Sequence, residues 1–463
     1  MNNLELRVPA HLTQRLLEAV RSPGPYESVA FGLVSSATLR DRTVLLLTDV
    51  IQTPPEAYLD PGGHGARWSG RFTLAVLNRA LAEGRGVVIF HEHGFGNPVR
   101  LSPDDEASGA EQLELFARVQ PNAPHGSVVV GGSTAAGLFS LNSRLVRPST
   151  FTLRLLGGSI DLRPSQRSVV TNVDEQAFVR QVLLVGGSGQ GRLRSSTVAV
   201  IGLCGGGSHV IQQLAHLGVG RILGIDHDIG DETNRSRMIG LTAEDVQRRR
   251  LKVDVIADLV DRIGLGTEYV PINAKLPSPE AVAAVREADV IVGCVDNYHA
   301  RADLQSLAWR MLIPYVDIGL VIDPKIREHS GGRDRWLAGN VYTLLPGSTC
   351  LWCTDFLTQI RLDAETGGRE RSYFREGGGA AQVVSLNGVL ASQAVNEVLQ
   401  LLTGFAERSP ESQLLKLNGI QGTLEKWKIE RRDRCEHCQH DLAAGDVQWT
   451  APASPRGTKS ISP

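Results

Sequence analysis

The sequence predicts an α/β protein of two unlike parts, and three observations predict it. Over roughly the first 155 residues, short strands and helices follow one another in mixed order. From Glu175 onward, strand and helix alternate around a glycine-rich turn, the pattern of a doubly wound parallel sheet. Between the two, residues 156–174 are polar and hold Pro164, Ser165, Gln166 and Arg167, the composition of a linker.

In the first part, Leu12 to Val20 has helical apolar spacing. Ser28 to Val34 and Thr43 to Val50 read as strands, and Arg71 to Glu83 as an amphipathic helix. Gly86 to Phe90 is a short buried strand running into His91. A further helix, Asp104 to Val119, precedes the strand Ser127 to Gly131. In the second part, the strand Thr197 to Ile201 leads through glycines to a helix over Ser208 to Leu217. Further strands lie at Arg221 to Asp226, Thr267 to Ile272 and Asp289 to Cys294. Residues 441–463, rich in Ala, Ser, Pro and Gly, read as a disordered tail.

Composition narrows the function classes. A net charge of -2 over 463 residues gives no electrostatic case for nucleic acid or an anionic membrane. No apolar run approaches the ~20 residues of a membrane span. Met1 to Arg15 lacks an export pattern, so a cytoplasmic location is expected.

The turn reads Gly202-Leu203-Cys204-Gly205-Gly206-Gly207-Ser208. Glycines let a backbone approach a phosphate, and a helix N-terminus offers free N–H groups. Alone, such a turn also fits simple packing or a dinucleotide site. The latter is favoured by Asp226, which lies 19 residues beyond Gly207. The surrounding run points elsewhere. Asp226-His227-Asp228 is followed by Thr233-Asn234-Arg235-Ser236-Arg237, Lys252, Cys294-Val295-Asp296-Asn297 and Arg301. Hydride transfer has no need of these charges converging on phosphates. Adenylation does: Arg237 and Lys252 can neutralise the transition state, and Asp296 can hold Mg²⁺.

With those motifs, the segment from 175 to 440 resembles the ubiquitin-activating (ThiF/MoeB/HesA-like) superfamily, with its Rossmann-like adenylation domain. The resemblance implies ATP and Mg²⁺ as ligands and a ubiquitin-like protein as partner. Phe178-Val179-Arg180-Gln181 followed by Gly189-Gln190-Gly191-Arg192-Leu193 looks like the family's N-terminal arm. This implies a homodimer in which Arg180 reaches the partner subunit's phosphates. By the same carry-over Gly205 contacts the nucleotide, Asp226 the ribose, and Asn234, Arg237 and Lys252 the phosphates. The candidate nucleotide set is therefore Gly202, Gly205, Gly207, Asp226, Asp228, Asn234, Arg237, Lys252, Asp296 and Asn297; Asp296 and, beside that set, Arg180 are the catalytic candidates. Cys204 stands where the family usually has glycine.

Cys350-Leu351-Trp352-Cys353 and Cys435-Glu436-His437-Cys438 are two C-x-x-C pairs separated by 81 residues. Four thiolates suit a closed tetrahedral structural zinc; either pair alone also fits redox chemistry. The resembled family has the same arrangement. No cysteine lies between Cys353 and Cys435, the span where thioester-forming members of the family carry their nucleophile. Activation is therefore expected to end at the acyl-adenylate, handed to a conjugating enzyme or a sulfur donor.

In the first part, His91-Glu92-His93 continues a strand, which puts both imidazoles on one side. One carboxylate more makes three ligands for a catalytic zinc with an open position for water. A distant glutamate, for which Glu27 is the candidate, can serve as general base. Together with Ser102-Pro103-Asp104-Asp105, the pattern resembles the JAMM (JAB/MPN) metalloprotease family. That resemblance makes His91, His93 and Asp105 the ligands, Glu27 the base and Ser102 the oxyanion stabiliser. Eight residues separate His93 from Ser102, one more than is common in that family.

The combined expectation is trimming or deconjugation of a ubiquitin-like protein by the first domain (1–155) and ATP-dependent activation of its C-terminus by the second. Two alternatives remain open: adenylation for sulfur transfer in cofactor or metabolite biosynthesis, and a non-catalytic adaptor that binds the ubiquitin-like fold.

Overall fold

The computed structural model describes residues 3–21, 28–59, 66–93, 99–132, 134–157, 161–162, 175–323, 336–367 and 381–446. These fall into two compact units. The first lies within Met1–Val169, joined by Trp309–Leu312 and part of Asp441–Gln448; the second holds the rest.

The strands of the first unit are β1 (Asn3–Val8), β2 (Val29–Thr38), β3 (Arg42–Gln52), β4 (Gly86–Glu92), β5 (His125–Val130), β6 (Ala135–Leu141), β7 (Arg144–Val146), β8 (Thr150–Leu155) and β9 (Asp161–Leu162). Among the described residues they form one sheet in the order β7-β6-β5-β4-β2-β3-β1-β8-β9. β1 pairs in parallel with β3 and β8, and β4 with β5; the other pairings are antiparallel. The order is mixed, as the sequence pattern predicts, but that pattern does not mark β1, β6, β7, β8 or β9, the last of which lies within the stretch 156–174 read as a linker and pairs with β8. β1 alternates Leu4 and Leu6 with Glu5 and Arg7, a short strand pattern inside a segment that reads as polar overall.

Period-two alternation gives this sheet two apolar faces. Ala30, Val34, Val88 and Phe90 pack with Leu12 and Leu16 of the helix Ala10–Val20. Phe31, Leu33, Val87 and Ile89 pack with Leu77 of the helix Gly70–Ala82 and Phe116 of the helix Pro103–Val119. His91 continues the parity of Val87 and Ile89. It therefore sits on the face that the Pro103–Val119 helix covers.

The second unit contributes β10 (Thr197–Ile201), β11 (Arg221–Ile225), β12 (Glu268–Ile272), β13 (Val290–Gly293), β14 (Tyr315–Asp323), β15 (Trp336–Leu344), β16 (Gln413–Asn418) and β17 (Thr423–Lys428). Their order is β12-β11-β10-β13-β14-β15-β16-β17. β12 to β14 are parallel, which is the expected doubly wound part. β14 to β17 are antiparallel, so the sheet as a whole is mixed and not purely parallel. Val198, Val200, Val292 and Val316 line one face under the helices Gly205–His216, Lys252–Ile263 and Val384–Thr403.

The strand order reverses at β10, whose neighbours are β11 and β13. In such sheets ligands bind beyond the C-terminal strand ends at that reversal. The glycine turn follows β10 and Asp296 follows β13, so both lie there. No helix among the described residues is long and apolar enough to cross a membrane.

Candidate functional site

The helix after the turn begins at Gly205, not at Ser208. The three glycines therefore form its first turn. Gly202 has φ +87°, and a Cβ there would meet Cys294 O at 2.6 Å. A Cβ on Gly207 would meet Gly202 O at 1.9 Å. Those two positions need glycine for close backbone packing. Cys204 stands at the N-cap and makes no capping hydrogen bond, so the first-turn N–H groups lack that acceptor.

A cleft of about 1100 Å³ opens over this turn. Of the candidate nucleotide set, Gly202, Gly205, Asp226, Asp228, Asn234, Arg237, Lys252, Asp296 and Asn297 all line it. Gly207 is outside the lining, packed against Gly202. Arg180 is exposed on the first of two helical segments within Glu175–Ser195, which break at Gly186, and is also outside it.

Asp226 Oδ2 accepts from Leu203 N at 2.8 Å, and Oδ1 accepts from Asp228 N at 2.8 Å. Its carboxylate thus ties the turn to the end of β11. Lys252 is buried, and its Nζ donates to Asp228 Oδ2 at 2.7 Å. Burial works against its charge, but Asp226 and the bond to Asp228 outweigh that and raise it above the ordinary lysine value. Cys204 also lines the cleft and contributes to the same field around Lys252. Asp226, His227 and Asp228 lie close enough to share a metal ion. The Lys252 ammonium already occupies Asp228, which argues against a divalent cation there.

Asp231 and Asn234 cap each other across the short helical turn Glu232–Asn234, and Arg237 Nη1 donates to Thr233 O at 2.7 Å. Asp296 is exposed within the cleft, with Asn297 Nδ2 at 3.4 Å. Asn297 Oδ1 accepts from Ala300 N at 2.7 Å, holding the start of the helix Tyr298–Met311. Glu365 supports the same helix end, accepting from Tyr298 N and His299 N.

Arg301, which sequence order places among phosphate-facing charges, is 1% exposed. Its Nε lies 3.3 Å from Asp317 Oδ1, and Nη2 donates to Val295 O and Ile318 O. Its guanidinium also lies over the Phe356 ring. Its groups brace the cleft floor. Burial pushes the Asp317 carboxyl up, and Arg301 works against that rise. Sequence reading did not single out Asn387, on the helix Val384–Thr403, which also lines the cleft.

The four cysteines meet. Cys350 Sγ lies 3.6 Å from Cys353 Sγ and 3.8 Å from Cys435 Sγ, and Cys353 Sγ lies 3.5 Å from Cys438 Sγ. Tetrahedral thiolates around zinc stand about 3.8 Å apart, so this donor set fits that ion. His437 stacks on Trp352 at 3.8 Å, as part of the wall.

In the first unit, His91 Nε2 lies 3.0 Å from Asp105 Oδ1, and His93 Nε2 lies 3.4 Å from Asp105 Oδ2. One ligand atom from each falls within 4.8 Å of the others, a spacing that admits a metal ion. Ser102 caps the Pro103–Val119 helix: its Oγ accepts from Asp105 N at 3.1 Å while Ser102 N donates to Asp105 Oδ2 at 2.7 Å. Burial opposes the Asp105 charge, but the Ser102 bonds and the two imidazoles hold its carboxyl below the ordinary value. Glu27 lies outside the described residues, as does most of the stretch Asp363 to Gly379.

Residues 178–438 match the model of the ThiF family. Ubiquitin-like modifier-activating enzyme 5 of Arabidopsis thaliana is 26% identical over 263 residues, covering 53% of this chain and 56% of that protein. Molybdopterin-synthase adenylyltransferase of Escherichia coli is 26% identical over 265 residues, covering 56% of this chain and 95% of that protein. Adenylyltransferase and sulfurtransferase MOCS3 of Xenopus laevis is 27% identical over 305 residues, covering 63% of this chain and 60% of that protein. The chain thus spans little more than half the length of the first and third of these relatives.

Proposed function

Because the chain belongs to the ThiF family, we propose that its second unit adenylates the C-terminal carboxylate of a ubiquitin-like protein, with ATP as co-substrate. The observation that carries this reading is the gathering of Lys252, Arg237, Asn234 and Asp296 in one cleft over the start of the Gly205–His216 helix. In the reaction a carboxylate oxygen attacks the α-phosphorus, the α–β phosphoanhydride breaks, and pyrophosphate leaves. Negative charge grows on the phosphates as it does so. Lys252 and Arg237 would offset that charge, together with the first-turn N–H groups. Asp296 would hold Mg²⁺, and Asp226 would take the ribose. Arg180 lies apart from the cleft of its own chain, which is compatible with its serving a partner subunit in a homodimer.

Activation ending at the adenylate is supported by the absence of cysteine between residues 353 and 435. The adenylate would then pass to a conjugating enzyme or to a sulfur donor. The names of the relatives support both fates equally, since they include a modifier-activating enzyme and two proteins of molybdopterin or sulfur chemistry. Cys350, Cys353, Cys435 and Cys438 would hold a structural zinc.

For the first unit, we propose a zinc-dependent JAMM-type peptidase that trims or removes the same ubiquitin-like protein. The convergence of His91, His93 and Asp105 supports it. Those three would hold the metal, which would supply an activated water. Ser102 would orient the carbonyl oxygen and Glu27 would carry protons.

ATP–pyrophosphate exchange with candidate ubiquitin-like proteins tests the first proposal. Exchange should require the partner and fall by about a hundredfold or more in Asp296→Ala. No exchange with any ubiquitin-like protein would favour the adaptor reading instead.

A further inference from the structure

The helix Val384–Thr403 turns a stripe of small and apolar side chains toward the sheet. Leu390, Ala391, Ala394, Val395 and Val398 are all buried in it. Helical spacing extends that stripe back to position 387, where another apolar residue would pack. The residue there is Asn387, only 6% exposed. Its Nδ2 is buried and has no hydrogen-bond partner among the described residues. A buried amide donor left without an acceptor costs stability, and native proteins keep few of them.

The position of that donor is informative. Asn387 lines the cleft at the glycine turn. A Cβ built on Gly205 would lie 2.4 Å from Asn387 Nδ2, and Arg237 Cδ lies 3.5 Å from the same point. The amide therefore stands over the first residue of the Gly205–His216 helix, beside Arg237. Both neighbours suit an anion: one offers backbone N–H groups, the other a guanidinium. An amide N–H there finds its missing acceptor when a phosphate oxygen arrives.

We propose that Asn387 is a further nucleotide-binding residue, whose Nδ2 donates to a phosphate oxygen of the ATP held at the Gly205 turn. The inference rests on the adenylation reading above. It also gives Gly205 a second role, because any side chain there would displace the amide.

The test is isothermal titration of the full chain with Mg-ATP and with adenosine, for wild type, Asn387→Leu and Asn387→Asp, alongside melting without nucleotide. Leucine removes the orphan donor, so Asn387→Leu should melt no lower than wild type yet bind ATP about 10- to 100-fold more weakly. Asn387→Asp should bind ATP more weakly still, since it sets a carboxylate against the phosphate. Adenosine affinity should not change in either variant. Asn387→Ala carries the same expectation if leucine strains the helix. Unchanged ATP affinity in all the variants overturns the inference and leaves the adenylation reading intact. Equal weakening of ATP and adenosine also overturns it, because the contact would not be to phosphate. A wild type that binds no ATP overturns both.

Discussion

Lys252 Nζ meets Asp228 Oδ2 at 2.7 Å, so the cleft's buried cation comes with its own counter-ion. Asp228 is half exposed while the Lys252 side chain is 7% exposed, which leaves the carboxylate the freer of the two to move when a phosphate enters. Lys252→Met keeps the stem and removes the charge, and exchange should fall by about a hundredfold or more. The stability effect has a definite sign. The folded-state value is raised above the ordinary 10.5, so the charge contributes stability fully below the unfolded value. That contribution disappears as pH rises through the folded value. Denaturation at a series of pH values should give a constant gap between wild type and Lys252→Met from about pH 7 to 9. The gap should close only above the ordinary lysine range. A gap that closes near neutrality would mean that Lys252 is not held charged.

The glycines of the turn separate by neighbour. Gly207→Ala drives a methyl group into Gly202 O, a backbone atom that cannot rotate away. It should cost about 3 kcal/mol or more, seen as a lower denaturation midpoint. Gly205→Ala presses on the Asn387 side chain, which can rotate. That variant should melt close to wild type. Equal destabilisation by the two would contradict the packing described for the turn.

Much of this site was legible in the sequence because the fold reuses simple periodicities. Residues just past β10, β11 and β13 must meet, since parallel neighbours end at one edge; Gly202, Asp226 and Asp296 follow from that alone. Period two was enough to put His91 and His93 together. Other features depend on tertiary neighbours that no local pattern encodes. Gly205 and Gly207 look alike in the sequence, yet one faces the cleft and the other a carbonyl oxygen. Arg301 reads as one more site charge until Asp317 appears beside it on β14. Asn387 lies far along the chain in an apolar helix, and only packing brings it to the turn. The antiparallel half of the second sheet is not legible because β16 and β17 follow one another through a short turn with no helix between them, unlike the strand–helix alternation that marks the parallel half.

Two zinc ions per chain are expected, and they should be separable. Cys438→Ser removes one donor from the four-cysteine cluster and should lower the zinc content of purified protein from two to one, with a marked loss of stability. His91→Ala should also remove one zinc while leaving the melting of the second unit unchanged. The double variant should hold none. Elemental analysis checks all three, and a wild type with a single zinc that survives His91→Ala would sink the peptidase proposal for the first unit.

The Arg301–Asp317 pair makes the last distinction, between a phosphate ligand and a brace. Both side chains are 1% exposed, with Nε and Oδ1 3.3 Å apart, and Tyr315 Oη donates to the same Oδ1 at 2.7 Å. Removing the cation alone leaves a carboxyl in a site that already disfavours its charge. Arg301→Met should therefore cost about 3–5 kcal/mol in chemical denaturation. Adding Asp317→Leu removes the stranded group and should recover about half of that loss or more, since apolar replacement of a buried pair is often neutral. Val295 O and Ile318 O would still lose their donor, and the buried Tyr315 Oη its acceptor, which limits the recovery. ATP affinity is the discriminating readout. If Arg301 only holds the cleft floor, the double variant should bind ATP within about threefold of wild type, a difference under 1 kcal/mol. A well-folded double variant that no longer binds ATP would instead return Arg301 to the phosphates, where its place in the sequence first suggested it belonged.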